Sequence, residues 1–178
     1  MRWDELFDDL AAQWEAEVRR ELDAEVADRT RRERGVIGLY ERLAVGARAA
    51  VTLRVGGRIE GRVADVGDGW LLVLTQQGPA ALVPFAGIAS VVSASPRAVG
   101  MPVGRRFGLG YALRGLSRDR SVVTLTDTSG GLATGTIDAV GRDVLELSEH
   151  PADLPRRPQH VTGTKLVPFG AIVALRQA

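Results

Sequence analysis

The chain has no cysteine and only one lysine among its 23 basic residues, few aromatics, and no apolar run near the length of a bilayer. Without cysteine there are no disulfides, thiolate metal sites or cysteine nucleophiles. A bilayer span needs about 20 consecutive apolar residues. The opening MRWDELFDDL is acidic where a secretory leader would be basic and then apolar. The expectation is a soluble, cytoplasmic chain with no membrane partner. The single lysine, Lys165, shows that the preference for arginine is global, so a basic surface does not by itself point to nucleic acid.

The charge that is present is unevenly placed. Residues 1–33 hold eleven acids against six arginines, whereas residues 34–178 hold eleven acids against seventeen bases. An acidic arm precedes a basic body. The arm contains no glycine or proline from Trp3 to Glu33, and its apolar residues Trp3, Leu6, Phe7, Leu10, Trp14, Val18, Leu22 and Val26 recur in steps of three and four. That spacing predicts one long amphipathic helix. Trp3, Phe7, Leu10, Trp14 and Val18 are its candidate partner contacts, for packing on the body, a second copy or another protein.

Beyond the arm the chain is written twice. LVPFAGIASV at residues 82–91 returns as LVPFGAIVAL at residues 166–175, and GRVADVGDGWLLV at 61–73 matches GTIDAVGRDVLEL at 135–147. VTL occurs at 51–53 and again at 123–125, which would make the first hairpin two residues longer in the second copy. In each copy a short helical stretch precedes segments that alternate apolar and polar residues, separated by glycine turns such as Gly56-Gly57. The repeated ten-residue segment reads as the closing strand pair of a duplicated module.

Helix, bent strand pair with a central glycine, buried strand and short closing pair: this order resembles the Sm-like family of small SH3-like barrels, in its Hfq-like branch. The resemblance is carried by VTLRV, Gly61, WLLVL and LVPFAGIASVV, and more weakly by residues 110–178. It implies a mainly β fold with α: two Sm-like barrels in tandem, at residues 34–96 and 97–178, each preceded by a short helix, behind the helix of residues 1–33. It also implies a Lys-His pair for RNA at the turn between the last two strands. This chain has Phe85-Ala86 and Phe169-Gly170 there, and Glu60 where the family carries a neutral glutamine. The family's RNA site is thus not carried over.

Chemistry is sparse. His150 and His160 bracket the Pro-rich insertion HPADLPRRPQH with Asp153 between them, but no third strong ligand accompanies them, so no metal is expected. No nucleophile, base and orienting acid fall together, and no cofactor motif is present; GxG at Gly108 and Gly110 lacks the preceding strand and the acidic ribose ligand. Candidate nucleic-acid contacts are Arg54, Arg58 and Arg62 on the first hairpin, Arg105 and Arg106 between the modules, and Arg156, Arg157 and Lys165 in the second module. The expectation is a non-catalytic assembly or adaptor platform acting through its helix and barrel surfaces, self-associating by the helix or by strand edges, or binding an unidentified protein. The alternative is an RNA- or DNA-binding regulator using the arginine-rich body.

Overall fold

The computed structural model describes residues 3–76, 78–93 and 107–178, with side chains from Gln13 onward except those of Arg34 and Ser93. The chain divides into two units, Met1–Gly38 and Leu39–Ala178. The first holds helix α1, Trp3–Gly35, an uninterrupted run of helix formers that ends at the glycine. On it Trp14, Val18, Leu22 and Val26 are exposed. Among the described residues no helix is long and apolar enough to cross a membrane.

The second unit is one antiparallel sheet of ten strands. They are β1 Arg48–Leu53, β2 Arg58–Gly67, β3 Trp70–Thr75, β4 Ala81–Pro84, β5 Ile88–Ser93, β6 Val122–Asp127, β7 Leu132–Val140, β8 Val144–Glu149, β9 Gly163–Pro168 and β10 Ile172–Gln177. Their order across the sheet is β5-β1-β2-β3-β4-β10-β6-β7-β8-β9. The short helix α2, Leu39–Arg42, precedes β1, and α3, Leu109–Arg118, precedes β6. Helix α3 places Leu109, Ala112, Leu113 and Leu116 on one face, the i, i+3, i+4, i+7 pattern that docks a helix on a core.

This corrects the expectation of two tandem closed barrels, although a mainly β fold with α is right. Closing a five-stranded repeat on itself would require its fourth and fifth strands to pair, and they do not. Pro84 ends β4 at φ −60° and lacks the N–H to extend the ladder; the single 3-10 turn Phe85–Gly87 then sends the chain to the opposite side of the repeat, where β5 pairs with β1. Pro168 and Phe169–Ala171 do the same before β10. The edge of β4 is taken instead by β10, with Leu82 opposite Leu175 and Ala81 opposite Arg176. The repeated segment is therefore two consecutive strands that pair with different neighbours.

The joint between the repeats exchanges core residues. Val173 and Ala174 of β10, both fully buried, belong to the core built by Val51, Ile59, Val63, Leu71 and Val83. Trp70 and Leu82 belong to the core of Leu113, Val123, Leu125, Ile137, Leu145 and Leu147. The buried indole N–H of Trp70 donates to the Phe107 carbonyl at 2.8 Å, so its burial leaves no donor unpaired.

Strand registers also correct the matching of the two copies. Thr52 faces Arg58 as Thr126 faces Leu132, a constant offset of 74, so the hairpins are equally long and the two VTL segments are not equivalent. Asp127 takes the place of Leu53 and caps its turn. The Ser129 hydroxyl and the Ser129 and Gly131 amides donate to its carboxylate, and these bonds hold that carboxyl below its ordinary range. The one length difference lies between β8 and β9, where the second copy carries the insertion.

Both repeats bend at the same two places. A bulge interrupts the β2–β3 register between Val63 and Asp65 and the β7–β8 register between Ile137 and Ala139. Two residues earlier in each, a glycine lets neighbouring backbone approach: a Cβ on Gly61 would lie 2.1 Å from the Leu74 carbonyl oxygen, and one on Gly135 would lie 1.9 Å from that of Ser148. Backbone cannot step aside as a side chain can. Gly61→Ala and Gly135→Ala should therefore each lower stability by about 3 kcal/mol, read as a shift in the urea midpoint; a loss no larger than that of a surface alanine would show that the bend is not held there.

Candidate anion-binding groove

The outward side of the first repeat carries the candidate site. Strand alternation sends Ala49, Val51 and Leu53 inward and leaves Arg48, Ala50 and Thr52 facing out; on β2 it leaves Arg58, Glu60 and Arg62 facing out. The register puts Arg48 opposite Arg62 and Ala50 opposite Glu60. Three adjoining hollows of 270, 420 and 260 Å³ share Gln76, and Arg48, Arg58, Arg62 and Arg176 stand around them.

The charges in this groove are mostly uncompensated. Arg58 pairs at 2.5 Å with Glu60, the one acid among the described residues that line the groove. Arg62 donates to the Gly46 carbonyl at 3.1 Å, which orients its guanidinium without neutralising it. Two guanidinium-bearing residues directly opposite on paired strands repel each other, and a bound anion removes that cost. Exposed Leu74 and Val92 add apolar surface beside the arginines.

The equivalent place in the second repeat is filled. Val122, Thr136, Ser148 and His150 stand where the first repeat has Arg48, Arg62, Leu74 and Gln76. The His150 ring is buried: Nδ1 lies 2.9 Å from the Pro151 carbonyl, to which it must donate, so Nε2 accepts the Thr136 hydroxyl at 2.8 Å. The insertion then folds back. Arg156 bonds the carboxylate of Asp138, which the β7 bulge turns outward, and the Ser148 hydroxyl donates to the same carboxylate oxygen at 2.6 Å. Burial pushes the Asp138 carboxyl up, but the bonds from Arg156 and Ser148 and the charges of Arg156 and Arg120 outweigh it, leaving it below its ordinary value.

The residues singled out in the sequence thus separate. Arg58 and Arg62 line the groove. Arg54 does not; its side chain donates to the Ile88 carbonyl at 3.4 Å. Arg156 is held by Asp138, Lys165 pairs with Glu149 at 2.9 Å, and Arg157 is exposed in the insertion. Arg105 and Arg106 lie outside the described residues, as do the side chains of Trp3, Phe7 and Leu10; Trp14 is 73% and Val18 39% exposed on α1. Arg48 and Gln76 were missed, although Arg48 begins the same alternation that exposes Thr52. Arg176 reaches the groove only through the β4–β10 pairing. His160 bonds the Pro155 carbonyl, and among the described residues no three His, Cys, Asp or Glu side chains could hold a metal.

No protein-family model matches the chain, and no curated protein matches it. The Sm-like resemblance thus rests on strand pattern and glycine placement alone.

The Asp138 clasp has a definite pH signature. Its carboxyl is more acidic folded than unfolded, so its contribution is present above the unfolded value of about 3.9 and is lost as pH falls through the lower folded value. The stability gap between the wild-type chain and Asp138→Asn should be constant from neutral pH to about pH 5 and close below about pH 4. Urea midpoints measured for both across that range check this; a gap that widened on acidification would refute the clasp.

Proposed function

We propose that the chain is a non-catalytic adaptor platform whose working surface is the arginine groove of the first repeat, taking an acidic segment of a partner protein. The observation that carries this is the pairing of Arg48 with Arg62 across β1–β2, with no acid set between them. Side-chain carboxylates fit forked guanidinium donors, and apolar residues beside them fit Leu74 and Val92. Among the described residues that line the groove none is aromatic, which favours a polypeptide over stacked bases. The exposed stripe of α1 supplies a second surface for a protein partner.

A second reading is supported by the same four arginines. The backbone of a single-stranded nucleic acid needs only cationic groups, and a body with six more bases than acids would draw it in. The two readings differ in what binds and in how salt acts on it.

Fluorescence anisotropy of the full chain with two labelled probes, an alternating Glu-Leu peptide and a single-stranded RNA pool, separates them. The peptide should bind more tightly than the RNA, and Arg48→Ala and Arg62→Ala should each weaken it by roughly three- to tenfold. Tighter RNA binding with a steep salt dependence would replace the first reading by the second. Binding of either probe that ignores both substitutions would refute the groove.

A further inference from the structure

Helix α1 leaves a row of apolar side chains uncovered. Trp14, Val18, Leu22 and Val26 follow one another four residues apart, which sets them on successive turns along one side of the helix, over about 18 Å of its length. They are 73%, 39%, 56% and 64% exposed. A hollow of 380 Å³ runs along the row, lined by Trp14, Glu15, Val18, Arg19 and Leu22. Such a row on an otherwise polar helix is a seat for a second helix.

The charges beside the row decide which helix fits. Glu17, Glu21 and Glu25 stand three residues after Trp14, Val18 and Leu22 and form an acidic row along one flank. The other flank holds Glu15, Arg19 and Asp23, three residues before Val18, Leu22 and Val26. With five acids and one base, the two flanks carry a net charge of −4. Arg20 pairs with Glu17 at 3.0 Å, and among the described residues no salt bridge reaches Glu15, Glu21 or Glu25. A second copy of α1 fits badly here. An antiparallel pair brings like flanks together, so the glutamate row would meet itself, and a parallel pair sets that row beside a flank that is also net acidic. An anionic lipid surface and a nucleic-acid backbone meet the same repulsion.

We infer that α1 docks a helical segment of a partner protein whose own apolar residues recur four apart and are flanked by Arg or Lys. The partner's apolar side chains cover the row, with Trp14 as the largest anchor. Its bases meet the carboxylates of Glu21 and Glu25 at the rim. Apolar burial holds the contact, and the rim charges select the partner and speed its approach. This deepens the platform reading by giving its second surface a ligand chemistry, and it uses no residue of the arginine groove.

The test is fluorescence anisotropy of the full chain with two labelled helical peptides that carry leucines four residues apart, one with lysines beside them and its twin with glutamates. The lysine peptide should bind at least about tenfold more tightly than its twin. Trp14→Ala should weaken that binding by about tenfold, and Glu21→Lys combined with Glu25→Lys should reverse the preference between the peptides. Arg48→Ala should leave both affinities unchanged, so this surface and the groove stand or fall separately. All these changes alter exposed side chains, so the circular dichroism spectrum should stay as it is. No binding of either peptide, equal binding of the two, a preference that survives the charge swap, or lysine-peptide binding that ignores Trp14→Ala would overturn the inference. So would sedimentation velocity showing a dimer of the full chain that Trp14→Ala dissolves, which would put a second copy on the row.

Discussion

The pairing of β4 with β10 is the contact on which the rest of the body depends. It is a short ladder, but it carries Val173 and Ala174 into one core and Trp70 and Leu82 into the other. Neither repeat buries a complete set of apolar residues from its own sequence. A small sheet unit of this size has little core to spare, so a borrowed leucine and a borrowed tryptophan are a large share of what holds it together. The joint also fixes the groove, because Arg176 reaches the first repeat only from the end of β10.

Two copies of one module have drifted toward different surfaces on a common backbone. The bulge and the close-packed glycine stand at the same positions in both, since they decide how the sheet bends and leave no room for a side chain. The outward residues beside them have diverged completely. The first repeat places arginines across from each other; the second places a threonine, a serine and a buried histidine, and covers them with an insertion clasped by Arg156 and Asp138. One repeat therefore has an open, charged concavity, and the other has a satisfied polar surface.

Much of this was legible in the sequence, and the failures have physical causes. The duplication, the long helix and most strands followed from repetition and from apolar periods of two and 3.6. Arg58 and Arg62 could be placed on an outward face by alternation alone. Closure of each repeat was misread because pairing is a property of edges in space: Leu82 and Leu166 stand in nearly identical sequence, yet one is buried and the other exposed. Matching VTL to VTL misplaced the hairpin register, since a shared tripeptide weighs less than the turn chemistry of Asp127. Arg156 looked like a free cation because nothing in a Pro-rich loop shows that it folds back onto a bulge two strands away.

Fusing two modules into one chain changes the physics of their joint. Two separate modules would find each other at a rate and a population set by how many are present. Once tethered, they see each other at a fixed effective concentration, and dilution cannot part them. The inner joint is thus independent of how many chains are present, and the tryptophan and leucine that cross it stay covered however dilute the chain.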